Sequence, residues 1–282
     1  MKNVKPGHTW PVVCIDAGHF GKRNRSPVVP EYYESQMNWK LQGYQKEELE
    51  KYGIRVITTR KEQKKDLALL ARGRASKNCD LFLSNHSNAC NAPSVDRAVV
   101  IVQLDGRGDA LGAKLAQCIR DVMQTCDPWK VSSRKGINGE YYGVLRGAAQ
   151  VGTVGMILEH SFHTNPKAAR WLLEDDNLKK LAKAEAKVIA EYFGMLEMKT
   201  GVTNRLNFAE EYDEGLKGTY RVASDDGILN LRAGAGADKP LIESMHTGST
   251  VKCYGYHTGA WLYVVSQTGK IGFCHSGYLI RE

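Results

Sequence analysis

Short apolar runs and amphipathic stretches alternate through the first two-thirds of the chain. Val12-Val13-Cys14-Ile15-Asp16, Ile54-Arg55-Val56-Ile57-Thr58, Leu81-Phe82-Leu83-Ser84, Ala98-Val99-Val100-Ile101-Val102 and Val154-Gly155-Met156-Ile157-Leu158 have the length and apolar content of buried strands. Between them lie stripes at helical spacing: Met37, Leu41, Tyr44 and Tyr52 within residues 35–52, and Leu111, Leu115, Ile119 and Val122 further on. Residues 67–77, 166–173 and 177–193 also read as helices, the last with Gly194 as its stop. This alternation predicts an α/β domain whose mostly parallel, twisted sheet is flanked by helices.

From residue 197 to 217 the period is lost and the chain turns polar, which predicts a linker. After Tyr220 the texture changes again, to short runs punctuated by glycine: Leu229-Asn230-Leu231-Arg232, Thr250 to Tyr254, Trp261 to Val265 and Lys270 to Phe273. Strands of that length and spacing predict a small all-β barrel. The expected organisation is therefore a large domain over 1–196, a linker over 197–217 and a small domain over 218–282.

Composition sharpens this picture in three ways. The formal charge of +8 suits a polyanionic partner such as an acidic cell wall, and six Lys/Arg against five Asp/Glu in residues 218–282 leave most of the excess to the large domain. Seven cysteines without a C-x-x-C pair predict free thiols in a reducing compartment, although sequence alone leaves open a bridge such as Cys253 to Cys274. No apolar run approaches the roughly 20 residues that cross a bilayer, and no apolar signal core follows Met1-Lys2-Asn3-Val4-Lys5. The expectation is a protein made and held in the cytoplasm, with neither a membrane nor a nucleic acid as its partner.

The chemistry lies where three of the strands end. Val12 to Asp16 runs into His19, Leu81 to Ser84 into His86, and Val154 to Leu158 into Glu159. In an open parallel sheet the carboxyl ends of strands share one edge, so residues far apart in sequence meet there. Hydrolytic zinc takes three ligands from His, Asp or Glu and leaves a position for water. His19, His86 and one acid suffice; Glu31 and Glu34 are the choices, Glu34 being favoured because it immediately precedes the helix at 35–52. Zinc lowers the pKa of its water from 15.7 to about 7. Glu159, not needed as a ligand, is then the carboxylate that shuttles a proton. His160 and His163 are rival ligands by chemistry, and His163 has the alternative of lining the cleft. Asp16 is either a turn residue or the carboxylate that orients the His19 imidazole.

These residues resemble a known family. Asp16-Ala17-Gly18-His19-Phe20-Gly21, Glu34 with Asn38, Thr59-Arg60 with Asp66, Leu67 and Arg74, Ser84-Asn85-His86-Ser87-Asn88, and Leu158-Glu159-His160-Ser161-Phe162-His163-Thr164-Asn165 are similar, in order and spacing, to the motifs of zinc-dependent N-acetylmuramoyl-L-alanine amidases of the Amidase_3 type. The likeness spans about residues 10 to 195, with Phe20 where many relatives have glycine and His160-Ser161 in place of a smaller pair. It implies zinc on His19, Glu34 and His86, Glu159 as catalytic acid/base, and cleavage of the bond between N-acetylmuramic acid and L-alanine of the peptidoglycan stem. Arg146, within Tyr141-Tyr142-Gly143-Val144-Leu145-Arg146, is similar to an arginine placed near substrate. Leu229 to Gly234, Trp261 to Val265 and Gly272 to Leu279 resemble bacterial SH3-like cell-wall modules, with Trp261, Tyr263 and Arg232 as candidate contacts. The joined expectation is a peptidoglycan hydrolase of the endolysin kind; a zinc endopeptidase acting within the stem peptide or cross-bridge, or a non-catalytic wall-binding protein, are the alternatives.

Overall fold

The computed structural model describes residues 2–5, 10–137, 139–195, 209 and 211–282. Two compact units divide the chain, Met1–Leu196 and Glu197–Glu282. The first contains, in chain order, β1 (Val12–Ala17), α1 (Glu34–Glu50), β2 (Arg55–Thr58), α2 (Leu69–Arg74), β3 (Leu81–Asn88), β4 (Val99–Val102), α3 (Asp109–Met123), β5 (Lys130–Ser132), the short pair β6 (Lys135–Gly136) and β7 (Gly139–Glu140), α4 (Gly143–Gln150), β8 (Val154–Phe162), α5 (Pro166–Leu173) and α6 (Asp175–Phe193). Six strands form one sheet in the order β2-β1-β3-β8-β4-β5. All its pairings are parallel except β4 with β8.

Side chains alternate across the sheet, and each face has its own core. Val13, Ile15, Leu83, Val100, Met156 and Leu158 pack with Leu41 of α1, Leu115 of α3 and Leu181 of α6. Cys14, Phe82, Val99, Ile101 and Ile157 face the other way, onto Val144, Leu145 and Ala148 of α4. Each such aliphatic side chain contributes about 1.5–3 kcal/mol on full burial. The helix α2 crosses α4 almost backbone to backbone: a Cβ on Gly73 would lie 2.0 Å from the Val144 carbonyl oxygen, and one on Gly147 2.3 Å from that of Leu70. This contact brings Val144 and Leu69 to the edge where β1 and β3 end. Helix α5 starts where sequence predicts, with the Asn165 side chain accepting from the amides of Lys167 and Ala168 ahead of Pro166.

The second unit holds β9 (Glu211–Val222), β10 (Ile228–Arg232), β11 (Leu241–His246), β12 (Thr250–Thr258), β13 (Trp261–Ser266), β14 (Ile271–His275) and β15 (Leu279–Arg281). They form one antiparallel sheet in the order β11-β10-β14-β13-β12-β9-β15, over a core that includes Val222, Leu231, Val251, Leu262 and Val264. The expected linker is shorter than 197–217 at its far end. Residues 211–217 are the first half of β9, held by pairing with β12, Tyr212 opposite Tyr256 and Lys217 opposite Tyr254. Polar residues on an outward-facing strand carry no helical or apolar period, which is why they read as linker. The rest of that expected linker, 197–208 and 210, lies outside the described residues. All seven cysteines, Cys253 and Cys274 included, are free.

Candidate metal centre

His19 sits just past β1 with φ +60°, a left-handed conformation that costs a non-glycine residue about 1–3 kcal/mol. The surrounding contacts over-determine it. Arg72 donates from Nη1 to the Ala17 carbonyl at 3.0 Å and from Nη2 to the His19 carbonyl at 3.3 Å, and Arg60 Nη2 donates to Ala17 as well. Asp16 is not the partner of the His19 ring. Its carboxylate is fully buried and accepts from Thr59 Oγ1 (2.6 Å) and Ser84 Oγ (2.8 Å), with Arg72 Nη1 at 3.4 Å. It anchors the arginine that shapes the turn. Arg74, part of the family-like pattern, instead reaches outward to Gln150.

Glu34, in the first turn of α1, points its buried carboxylate at both imidazoles. Oε1 lies 2.9 Å from His86 Nδ1 and accepts from the Ser87 amide at 3.0 Å; Oε2 lies 3.3 Å from His19 Nε2 and accepts from Asn24 Nδ2 at 2.8 Å. Glu31 is exposed and stands apart from them. Burial pushes the Glu34 carboxyl up, but the hydrogen bonds and charges of His19 and His86 outweigh it, leaving the pKa well below the usual carboxylate range. Burial alone would lower His86; the Glu34 hydrogen bond and charge raise it instead, to about 9.

The donor atoms of His19, Glu34 and His86 all lie within 4.8 Å of one another, the one such group of His, Cys, Asp and Glu among the described residues. A tetrahedral zinc with bonds near 2.0–2.1 Å has ligand-to-ligand edges of about 3.3 Å. Taken over both its oxygens the carboxylate fits that spacing, with Oε1 2.9 Å from His86 Nδ1 and Oε2 3.3 Å from His19 Nε2. So does the donor chemistry, two imidazoles and one carboxylate, and the His19 and His86 side chains keep 32% and 20% of their surface exposed, leaving a side for water and substrate. The ring of His86 has its place because residue 18 is glycine: a Cβ there would meet His86 Cε1 at 2.4 Å and the Asn85 carbonyl oxygen at 2.5 Å.

Glu159 of β8 lies opposite His86 of β3 in the parallel register, so both side chains leave the same face of the sheet. Its Oε2 is occluded and has no hydrogen-bond partner among the described residues. Burial raises the Glu159 carboxyl to about 7, with the charges of His86 and His160 opposing and that of Glu34 assisting. A hollow of about 180 Å³ opens over this edge, lined by His19, His86, Phe20, Leu69, Arg72 and Val144 among others. A larger one, of about 310 Å³, lies along α1 beside Tyr33, Trp39 and Leu172 but includes none of the three donors, so the chemistry belongs to the smaller.

The rival histidines are placed elsewhere. His160 is fully buried on the opposite face of the sheet, its Nε2 2.8 Å from Glu185 Oε1, and is no ligand. His163, 5% exposed, stacks on Tyr32 with Nδ1 3.0 Å from the Ser87 carbonyl, behind the residue whose amide holds Glu34. Arg146 of α4 is half-buried and donates to the Glu140 carbonyl at 3.2 Å, away from the lining of the small hollow. In the second unit Tyr263 is 2% exposed and packs on Phe273, which removes it as a surface contact. Trp261 stays half-exposed, edge-on to His275, with Tyr278 next in the row; Arg232 donates to the Lys239 carbonyl. Sequence reasoning missed Arg72 and Asn24 and gave Ser87 no role beyond its place in a motif; their roles come from contacts across 10 to 56 residues of chain.

Comparison with known proteins agrees with this geometry. The sequence profile of the N-acetylmuramoyl-L-alanine amidase family Amidase_3 matches residues 13–191, and that of the bacterial SH3 domain matches residues 227–280. Similar solved structures include Cwp6 from Clostridium difficile (TM-score 0.58, 22% identity, 65% of this chain and 29% of that one). Two others are an N-acetylmuramoyl-L-alanine amidase from Clostridium difficile 630 (0.57, 20%, 66% and 98%) and the catalytic domain of CwlV, an amidase from Bacillus (Paenibacillus) polymyxa var. colistinus (0.54, 20%, 66% and 99%). At these identities the likeness establishes the fold, and the chain spans less than a third of the length of Cwp6. No curated protein matches the chain in sequence.

Proposed function

Since the chain belongs to the Amidase_3 family of N-acetylmuramoyl-L-alanine amidases, we propose that it hydrolyses the amide joining the lactyl group of N-acetylmuramic acid to L-alanine of the peptidoglycan stem peptide. The observation that carries this reading is the convergence of His19, Glu34 and His86 beside an unpartnered Glu159 carboxylate oxygen. The two imidazoles and Glu34 are the residues that would hold zinc. Zinc, when bound, supplies the Lewis acidity that yields a water-derived nucleophile at neutral pH.

The remaining work falls to the chain. Arg72 and Arg60 keep the His19 turn fixed, and the Ser87 amide holds Glu34 Oε1, so the donors need little rearrangement. Glu159 accepts a proton from the attacking water and passes it to the leaving nitrogen of L-alanine, a contribution of about 10²–10⁴-fold. Burial raises its pKa and a neighbouring cation would lower it, so the group can both accept and release a proton. The SH3-like unit anchors the enzyme to the wall and raises the effective concentration of the site there, with Trp261 and Tyr278 as its exposed aromatic face. The net charge of +8 favours an acidic wall as the partner. Lysis of a host cell by an endolysin is the role in which such a tethered hydrolase would act.

Mass spectrometry of digested wall tests the reaction. New L-alanine amino termini paired with free lactyl ends support the amidase; intact lactyl-alanine links with newly cut stem or cross-bridge peptides would replace it with an endopeptidase, and binding without cleavage with a wall-binding protein.

A further inference from the structure

Directly behind the metal-facing edge, on the opposite face of the sheet, lies a closed polar cluster that the reaction does not use. His160, Glu185 and Asn85 are 0% exposed and Gln45 1%. They come from four elements, β8, α6, β3 and α1. Gln45 Nε2 donates to Glu185 Oε2 at 2.7 Å and to Asn85 Oδ1 at 3.2 Å, and Asn85 Nδ2 donates back to Gln45 Oε1 at 2.7 Å. Four buried polar side chains in a layer otherwise filled by leucine and isoleucine cost stability unless each is satisfied, and here each finds partners.

The cluster reaches the site through a break in the sheet. Between β3 and β8 the register shifts: His86 pairs Glu159, but Asn88 pairs Phe162, so two residues of β8 face one of β3, and Ser161 takes φ +58°. Such a bulge re-aims side chains and interrupts the ladder. At this interruption His160 Nδ1 lies 3.0 Å from the His86 carbonyl oxygen. A carbonyl only accepts, so Nδ1 carries a proton and donates; the 2.8 Å contact between Nε2 and Glu185 Oε1 holds a second proton, shared by that pair. The side chain immediately after the proposed acid/base thus grips the peptide group of a proposed metal ligand, and a carboxylate from α6 fixes the ring that does so.

We propose that His160, braced by Glu185, is a positioning residue that locks the His86 peptide group, and with it the imidazole, in the orientation zinc requires. The proposal rests on the reading of His19, Glu34 and His86 as zinc ligands.

The test measures zinc affinity by chelator competition on the full-length protein, with turnover and the visible spectrum of the cobalt-substituted form as further readouts. The double variant His160→Leu/Glu185→Leu exchanges ring and carboxylate together for apolar groups of similar volume; it leaves Gln45 Nε2 with Asn85 Oδ1 as its remaining acceptor and the His86 carbonyl without the His160 donor, so folding is checked first by circular dichroism. Loss of partners that orient a ligand typically costs about 10–100-fold in metal affinity, and a loss in that range with an altered cobalt spectrum is expected. Glu185→Gln keeps the shape: its amide nitrogen donates to His160 Nε2 while Nδ1 still holds the His86 carbonyl. This variant is expected to stay within about threefold of the parent in zinc affinity. A double variant that binds zinc like the parent, or a Glu185→Gln protein as weak as the double variant, overturns the proposal. Should the double variant fail to fold, the scalar coupling across Nδ1–H···O=C from His160 to His86 in the isotope-labelled parent decides, its absence being the refuting result. A parent that takes up no zinc refutes the metal site itself and leaves the same coupling to judge the His160 contact.

Discussion

Gly18→Ala is the substitution whose effect the geometry dictates most tightly. The added Cβ would stand 2.4 Å from His86 Cε1, 2.5 Å from His86 Nε2 and 2.5 Å from the Asn85 carbonyl oxygen. Ordinary contact between such atoms begins near 3.5 Å, so something must give by about 1 Å. The Asn85 carbonyl cannot retreat cheaply, because it accepts the Gly18 amide at 3.0 Å and belongs to β3, paired with β1 on one side and β8 on the other. The His86 ring and the turn that carries residue 18 and leads into His19 are therefore the parts that move. A displacement of about 1 Å at a catalytic constellation costs on the order of 10²-fold, while overpacking costs about 1–3 kcal/mol of stability. Zinc affinity by chelator competition and turnover on solubilised wall should therefore both fall by about two orders of magnitude, with the protein still folded by circular dichroism. A Gly18→Ala protein that binds zinc and turns over like the parent would refute the claim that His86 is held by this close approach.

Other consequences separate the roles of the site residues. Glu159→Gln should keep its metal and lose about 10²–10⁴-fold in rate, whereas His86→Ala should lose both; equal metal loss in the two would mean that shuttle and ligand are wrongly assigned. In the metal-free protein burial holds the Glu159 carboxyl up at about 7, and a neighbouring dication favours its charged form, so zinc loading should lower its titration midpoint. Because proton acceptance needs the carboxylate, turnover should fall as pH drops through that lowered value; carbon NMR of labelled Glu159 checks the direction, and an upward move on loading would contradict it. Residues 1–196 alone should cut soluble wall fragments as well as the full chain but lyse whole cells more slowly; equal lysis rates would remove the anchoring role of the second unit.

Much of this was legible because strand ends are marked in sequence. The runs before His19, His86 and Glu159 are short and apolar, and the rule that parallel strands deliver residues to one edge brought those three together without any contact being visible. Glu34 was legible for a different reason, as the acid immediately preceding a helix marked by the stripe from Met37 onward; the structure makes it that helix's first residue. What periodicity misses is pairing at a distance. Arg72 and Arg74 look alike in sequence, and only packing against β1 decides that Arg72 turns inward to Asp16 while Arg74 meets Gln150. The same holds for His160 and His163, whose burial follows from the bulge in β8 and from Tyr32, and for Tyr263, which shares a strand face with half-exposed Trp261 but is covered by Phe273. Helix α4 and the β6–β7 pair were not legible in sequence because their runs are too short and glycine-rich to show a period.

Anomalous diffraction at the zinc edge from crystals grown with one equivalent of zinc addresses the central claim most directly. The expected map has one strong peak, at about 2.0–2.2 Å from a nitrogen of His19, a nitrogen of His86 and a carboxylate oxygen of Glu34, with Glu159 beside it but unbound. A peak at other residues, or direct ligation by Glu159 in place of Glu34, would contradict the account.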